Sequence, residues 1–144
     1  MKKIYLLLIG VLLLSACSTE IPTTPLQEWE DYTFRLESRP PIIEKGMMEF
    51  ITIANFEEQF RGWNLIVYYR MGPTGRWIQA IQDGHTGAYR RAMMVNDPAT
   101  DVLYVHIKQK LSAEEKEKKE KMKETVLQFP LNYSTAAAPS KSGS

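Results

Sequence analysis

Cysteine and histidine are scarce in this sequence, and both scarcities restrict what the protein can do. Its 144 residues include one cysteine, Cys17, so no intramolecular disulfide can stabilise the fold. Two histidines can act as bases, and no Gly-x-Ser-x-Gly turn presents a serine nucleophile. Asp97 and Asp101 could form a carboxylate pair, but they bracket a predicted turn, where aspartate ordinarily binds its own backbone. We therefore expect that the protein is not an enzyme.

A large excess of either charge is also missing. The whole chain has a formal charge of +1, which becomes −1 when residues 1–16 are removed. Proteins that bind nucleic acid usually need a basic excess to neutralise phosphates. We therefore expect no nucleic-acid partner.

The first sixteen residues have the composition of a signal peptide. Lys2 and Lys3 supply positive charge, and residues 4–14 form an apolar stretch within the ~7–15 residues typical of a signal-peptide core. This stretch is shorter than the ~20 apolar residues that a membrane-spanning helix needs. We predict that residues 1–16 are a signal peptide.

The next residues, Leu14-Ser15-Ala16-Cys17, resemble the lipobox of bacterial lipoproteins, in which an aliphatic and two small residues precede a cysteine. All four positions match. The resemblance implies cleavage between Ala16 and Cys17, a thioether-linked diacylglycerol on Cys17, and an amide-linked acyl chain on the new N-terminus. These lipids would anchor the protein to a membrane. Ser18, where inner-membrane lipoproteins have aspartate, implies the outer membrane if the cell is Gram-negative.

The mature chain divides into a tether, one domain and a tail. Residues 17–28 contain Pro22 and Pro25 and few apolar side chains, which favours a flexible tether. Residues 29–133 are long enough for a single domain. Residues 134–144 are a low-complexity tail that we expect to be disordered.

Short strands separated by glycine- and proline-containing turns dominate the predicted domain. Period-2 alternation predicts a strand over Asp31–Glu37. Further predicted strands cover 48–56, 65–69, 77–81, 88–95, 102–107 and 125–131. The strands at 65–69 and 77–81 should form a hairpin, and Pro130 favours an edge position. The predicted fold class is an all-β, immunoglobulin-like antiparallel β-sandwich of about seven strands.

Residues 112–124 interrupt this pattern just before the last strand. They contain five glutamates and five lysines, and they begin with a capping box formed by Ser112 and Glu115. Glu114 and Lys118 are one of three pairs with the spacing of helical neighbours. We predict a short charged helix, inserted in the sandwich and exposed to solvent.

The middle of the chain resembles a family of envelope domains. Gly87-Ala88-Tyr89-Arg90 precedes an apolar strand, a proline-containing turn and a second strand over Val102–Ile107. This arrangement is similar to the closing half of the YtkA-like or FixH-like immunoglobulin-like domains, over about residues 40 to 131. The resemblance implies the fold and no functional residue, since the charged insertion departs from the family pattern.

Protein binding is the function that this composition favours. Tryptophan, tyrosine and arginine are enriched at binding hot spots. We predict that Trp63, Trp77, Tyr89, Arg90 and Arg91 contribute to such a surface, with one strand face presenting several of them together. The first hypothesis is thus a lipid-anchored, non-enzymatic envelope protein that binds another envelope protein and needs no cofactor.

Metal binding is the alternative hypothesis. The mature chain contains six methionines besides its two histidines, and thioether and imidazole ligands together suit copper, particularly Cu(I). His85, Met93 and Met94 are the candidate ligands of a copper-handling lipoprotein that faces the periplasm. Met93 and Met94 are adjacent, however, and strand alternation would turn one of them into the core.

Overall fold

The fold is known from a computed structural model that describes residues 22–56, 64–84 and 86–136. Residues 1–16 and Cys17 lie outside these ranges. The described residues form nine strands and two short helices: β1 (Gln27–Trp29), β2 (Tyr32–Arg39), β3 (Gly46–Phe56), β4 (Leu65–Met71), β5 (Ile78–Gln79), β6 (Ile81–Gln82), β7 (Ala88–Val95), β8 (Val102–Gln109), α1 (Ala113–Glu117), β9 (Glu124–Pro130) and α2 (Tyr133–Ala136). Neither helix has the length and hydropathy required to cross a bilayer.

The strands form two antiparallel sheets that face each other. The five-stranded sheet has the order β1-β2-β3-β7-β6, and the four-stranded sheet has the order β5-β4-β8-β9. Strands β2, β3, β7 and β6 correspond to strands A, B, E and D of an immunoglobulin domain, and β5, β4, β8 and β9 to C′, C, F and G. The predicted immunoglobulin-like β-sandwich is therefore confirmed, with β1 added at one edge.

Period-2 alternation places apolar side chains between the sheets. Every second residue is buried in β4 as far as Tyr69 and in β8 as far as Ile107, and the residues between them are half-buried on the outer face. Burial of these side chains is the main source of stability for a domain of this size. The largest fully buried side chains are Tyr69, Tyr89, Phe34, Phe50, Phe129, Leu36, Leu65, Leu103, Ile107, Leu131, Val67 and Val95.

A polar contact joins the two sheets inside this core. The Tyr69 hydroxyl, on β4, donates a hydrogen bond to the backbone carbonyl of Tyr89 on β7 at 2.8 Å. It also lies 2.5 Å from the Thr52 hydroxyl on β3. Because the phenol has one proton, the Thr52 hydroxyl donates in this second bond. Burial accordingly raises the pKa of Tyr69 far above its usual value.

The predicted charged helix forms, but it is much shorter than residues 112–124. The Ser112 hydroxyl accepts a hydrogen bond from the Glu115 amide at 3.2 Å, and the Glu115 carboxylate accepts one from the Ser112 amide at 2.7 Å. Glu114 and Lys118 also pair, at 2.7 Å. The helix ends at its C-cap, Lys118, and Lys119 adopts a positive φ of 55°. With no buried residue in the helix, no packing energy extends it further.

Both ends of the domain extend beyond the predicted boundaries at 29 and 133. The Thr24 hydroxyl is buried and accepts a hydrogen bond from the Leu36 amide at 3.0 Å. At the other end the Ser134 hydroxyl is buried and accepts one from the Ile43 amide at 3.1 Å. Thr24 and Ser134, which lie in the predicted tether and tail, thus provide hydrogen-bond acceptors for backbone amides of the sandwich.

One predicted strand, residues 77–81, is divided between the two sheets. Ile78 pairs with Tyr69 at the edge of the four-stranded sheet, as the predicted hairpin requires. Ile81 instead pairs with Arg90 at the edge of the five-stranded sheet. Between them the Ala80 amide donates to the Val67 carbonyl at 2.8 Å. The chain therefore passes from one sheet to the other at Ala80.

Candidate functional site

The outer face of the four-stranded sheet carries a compact group of aromatic and cationic side chains. Strand alternation directs residues of β4 and β8 to this face, and Trp77 joins them from the segment just before β5. We call this group the aromatic face. Its members are Tyr68, Arg70, Trp77, Tyr104, His106 and Lys108, and all six are half-buried.

Arg70 lies at the centre of one half of the aromatic face. Its guanidinium carbon is 4.2 Å from the ring centroid of Trp77 and 5.2 Å from that of Tyr104. Both distances are within the ~6 Å range of cation–π attraction. The Arg70 Nε also donates a hydrogen bond to the Gly72 carbonyl at 3.1 Å. The guanidinium is thus held between two rings while the face stays partly open to solvent.

The turn after β4 makes this arrangement possible. Gly72 has a φ of +80°, which favours glycine because a Cβ disfavours that region. Its amide donates to the Val102 carbonyl at 2.9 Å, so the start of the turn is attached to β8. The chain then reverses direction and brings the Trp77 ring back over β4 and β8.

His106 connects this half of the face to the other. Its ring centroid is 5.4 Å from that of Trp77 and 6.0 Å from that of Tyr68. The His106 Nε2 lies 3.2 Å from a carboxylate oxygen of Glu124 on β9. Lys108 is 3.9 Å from the same oxygen, and its ammonium is 5.6 Å from the Tyr68 centroid. Two strands and a loop therefore present one continuous surface.

The five-stranded sheet has a different outer surface on the opposite side of the domain. A groove of about 360 Å³ lies over β3, β6 and β7, lined by Met47, Glu49, Ile81, Arg90, Arg91 and Ala92. Met47 and Ile81 are 62% and 57% exposed. This surface is more open than the aromatic face and has no ring contact among the described residues.

The predicted partner-binding residues do not share one surface. Trp77 belongs to the aromatic face, whereas Arg90 and Arg91 line the groove on the other sheet. Tyr89 is 1% exposed because it points between the sheets, and burial raises its pKa to about 12. The prediction that one strand face presents these residues together is therefore wrong. Trp63 lies outside the described residues.

The candidate copper ligands are also separated. Met93 is buried in the core, whereas its neighbour Met94 is 50% exposed on the outer face, opposite Met47. His85 lies outside the described residues. In residues 22–56, 64–84 and 86–136 no three His, Cys, Asp or Glu side chains come close enough to hold a metal ion.

Asp97 and Asp101 have the turn-forming role that the sequence indicated. An Asp101 carboxylate oxygen accepts hydrogen bonds from the amides of Asn96 at 2.7 Å and Asp97 at 3.0 Å. The Asp97 carboxylate accepts one from the Ala99 amide at 3.0 Å. Both carboxylates are therefore used to close the turn between β7 and β8.

Sequence reasoning did not identify Arg70, Tyr104 or His106 as parts of one site. The alternation in residues 102–107 does indicate that Tyr104 and His106 share the face opposite to Leu103. No comparable local signal brings Arg70 to Trp77, because that contact depends on how the turn at Gly72 folds back.

Comparisons with known proteins give little further information. No protein-family model matches the sequence, and no curated protein is significantly similar to it. A solved structure described as "Crystal structure of Br derivative BhCBM56" is similar over 73% of this chain and 97% of its own chain, with 11% sequence identity and a TM-score of 0.44. A similarity at this level indicates neither a shared function nor a shared ligand.

Proposed function

We propose that this protein is a lipid-anchored, non-enzymatic component of the bacterial envelope that binds another envelope protein through its aromatic face. Lipid on Cys17 would hold it at the membrane, the outer membrane in a Gram-negative cell. The observation that supports this most directly is the stacking of Arg70 on Trp77, 4.2 Å from the ring centroid, on a solvent-facing sheet.

Composition and rigidity both favour recognition of a protein. Tryptophan, tyrosine and arginine dominate binding hot spots because they bury large areas and form directional contacts. Binding also costs less when side chains are already ordered, since each immobilised side chain otherwise loses about 0.5–1.5 kcal/mol of rotamer entropy. The contacts of Arg70 and His106 with Trp77 provide such ordering before a partner arrives.

The charged side chains of the aromatic face indicate which kind of partner surface would be complementary to it. Arg70 and Lys108 are the basic side chains of this face besides His106, and Glu124 is the carboxylate that contacts Lys108 and His106. An apolar surface with acidic residues at its rim would be complementary. Salt should therefore weaken binding by slowing association.

The test is cross-linking capture of the lipidated protein in its native host. Trp77→Ala should reduce recovery of a specific partner at least tenfold. Leu26→Ala removes a side chain that is 62% exposed outside the aromatic face, and recovery should then be unchanged. Far-UV circular dichroism of both variants must match the wild type. Equal recovery of the partner with both variants would contradict the proposal.

The lipid anchor is tested separately in the same host. Cys17→Ala should abolish acylation of the protein, since the thioether lipid can no longer form. Mass spectrometry of the membrane-bound wild type should show an N-terminal Cys17 with acyl chains. Membrane-bound wild type that lacks acyl chains and keeps residues 1–16 would mean that residues 4–14 are an uncleaved anchor.

A further inference from the structure

Strand β7 extends well past the short strand that covers its outer edge. Strand β6 has two residues and pairs with Tyr89 and Arg90 of β7. The opposite edge of β7 is fully used, since its pairing with β3 runs from Ala88 to Val95. The end of β7 from Arg91 onward therefore lies at a free sheet edge, about 16 Å long at ~3.3 Å per residue.

The hydrogen-bond pattern shows which backbone groups this edge presents. The Asp83 amide donates to the Ala88 carbonyl on the β6 side, whereas the Ala54 amide donates to the Gly87 carbonyl on the β3 side. Backbone groups of successive residues alternate between the two sides in an antiparallel strand. The backbone amides and carbonyls of Ala92 and Met94 thus point to the free edge, away from β3. These groups have no hydrogen-bond partner among the described residues.

The crossover at Ala80 explains why the edge is open. The chain forms β5 in the four-stranded sheet before Ala80 and β6 in the five-stranded sheet after it. Only the two residues of β6 are therefore left to pair with β7. Natural edges are often protected by a proline, a bulge or an inward-pointing charge. Residues 92–95 are Ala-Met-Met-Val, which contain none of these, and the one charged residue of the free edge is Arg91 at its start, on the same side of the strand as Tyr89 and Met93.

The groove described above borders this free edge. It offers apolar contacts from Met47, Ile81 and Ala92 and two arginines, Arg90 and Arg91. Neither arginine has an ion-pair partner within the described ranges. Glu49 is the single carboxylate of the lining, so the groove has a net positive charge.

We propose that the free edge of β7 binds an extended segment of a partner protein that alternates apolar and acidic residues. The segment adds as a strand beside Ala92 and Met94, whose two amides and two carbonyls provide up to four backbone hydrogen bonds. Successive side chains of a strand point to opposite faces, so its carboxylates lie on the outer face near Arg90, beside Met47 and Ile81. Its apolar side chains point to the other face, on the side of Met93. This mode is β-strand addition, in which backbone bonds give affinity and side-chain pockets give specificity.

This site is distinct from the aromatic face. The groove belongs to the five-stranded sheet, whereas Trp77 and His106 lie on the outside of the four-stranded sheet. A partner could occupy one without covering the other. Failure of one proposal therefore leaves the other unaffected.

The test uses blocked hexapeptides and the full chain carrying Cys17→Ala, which has no lipid. One peptide alternates valine and glutamate, and its control alternates valine and lysine. Binding is followed by NMR and by backbone amide exchange. The glutamate peptide should bind at least tenfold more tightly than the lysine peptide, and it should slow exchange of the Ala92 and Met94 amides at least tenfold.

Two variants make the test specific. Arg90→Glu, at an exposed position, should reverse the preference between the two peptides. Ala92→Pro removes an amide that points to the free edge and should abolish binding, with circular dichroism used to check folding. The matched control is Arg76→Glu, at an exposed position that does not line the groove, which should leave peptide binding unchanged.

Three results would overturn the proposal. The first is equal affinity for both peptides, and the second is no protection of the Ala92 and Met94 amides at saturating glutamate peptide. The third is slow exchange of these amides without peptide, together with a concentration-dependent dimer in sedimentation experiments. That result would mean that a second copy of this chain already occupies the edge.

Discussion

The hydrogen bonds of Tyr69 give the sharpest test of how the two sheets are held together. Replacing Tyr69 with Phe keeps the ring and removes the hydroxyl that reaches both Thr52 and the Tyr89 carbonyl. Thr52 is fully buried, so water cannot replace the lost acceptor. We expect Tyr69→Phe to destabilise the domain while the fold is retained.

The size of the effect follows from which groups lose a partner. A buried polar group left without its hydrogen bond costs about 1–3 kcal/mol. The free-energy cost at the Tyr89 carbonyl is smaller, because Tyr89 and Thr52 are also register partners in the sheet ladder. The expected total is therefore about 1–3 kcal/mol. At roughly 4 °C per kcal/mol for a domain of this size, Tm should fall by about 4–12 °C.

The assay is urea unfolding followed by tryptophan fluorescence and circular dichroism. Tyr104→Phe removes a hydroxyl from the outer face, and it should change stability by no more than about 0.5 kcal/mol. In a double-mutant cycle with Thr52→Val, the two substitutions together should cost less than the sum of the single ones. A loss below about 0.5 kcal/mol for Tyr69→Phe would refute the inter-sheet role of the hydroxyl.

Three further predictions concern pH, the helix cap and the C-terminal segment. The free energy of unfolding, measured by urea titration, should fall above pH 10. Burial raises the pKa of Tyr89 to about 12, so at this pH the folded state keeps a proton that the unfolded chain releases. A constant free energy of unfolding from pH 9 to 11 would contradict this. Ser112→Ala should speed exchange of the Glu115 amide without changing Tm, because the hydroxyl that accepts from this amide is lost. The pKa of the Glu115 carboxyl should stay below its usual value, because the Ser112 backbone amide that lowers it most is retained. Unchanged exchange would exclude the cap. Ser134→Ala should cost about 1–3 kcal/mol in chemical unfolding, because the Ile43 amide loses its acceptor; wild-type stability would exclude this contact.

The local sequence was sufficient to predict the sandwich but not the surface. Alternation in residues 102–107 places Tyr104 and His106 on an outer face, and this can be read within six residues. Trp77 reaches His106 only because the chain reverses at Gly72 and returns across the sheet. Contacts between residues far apart in sequence have no signature in local periodicity.

The error over Tyr89, Arg90 and Arg91 has a related cause. Adjacent residues on a strand point to opposite sides, so Tyr89 turns into the core while Arg90 turns out. Sequence proximity to Trp77 suggested a shared surface. The crossover at Ala80 instead places Trp77 and Arg90 on different sheets.

The class of the fold, the order of its main strands and the capped charged helix can be predicted from the sequence, because period-2 alternation, turn residues and caps are local properties of the chain. It also carries the lipobox, which predicts an anchor on Cys17. The sequence does not predict how the strands divide into two sheets, where the segment around Ala80 changes sheet, or which edge of β7 stays open. These features follow from long-range pairing and from packing across the core, where residues far apart in the chain compete for the same hydrogen bonds and the same buried volume.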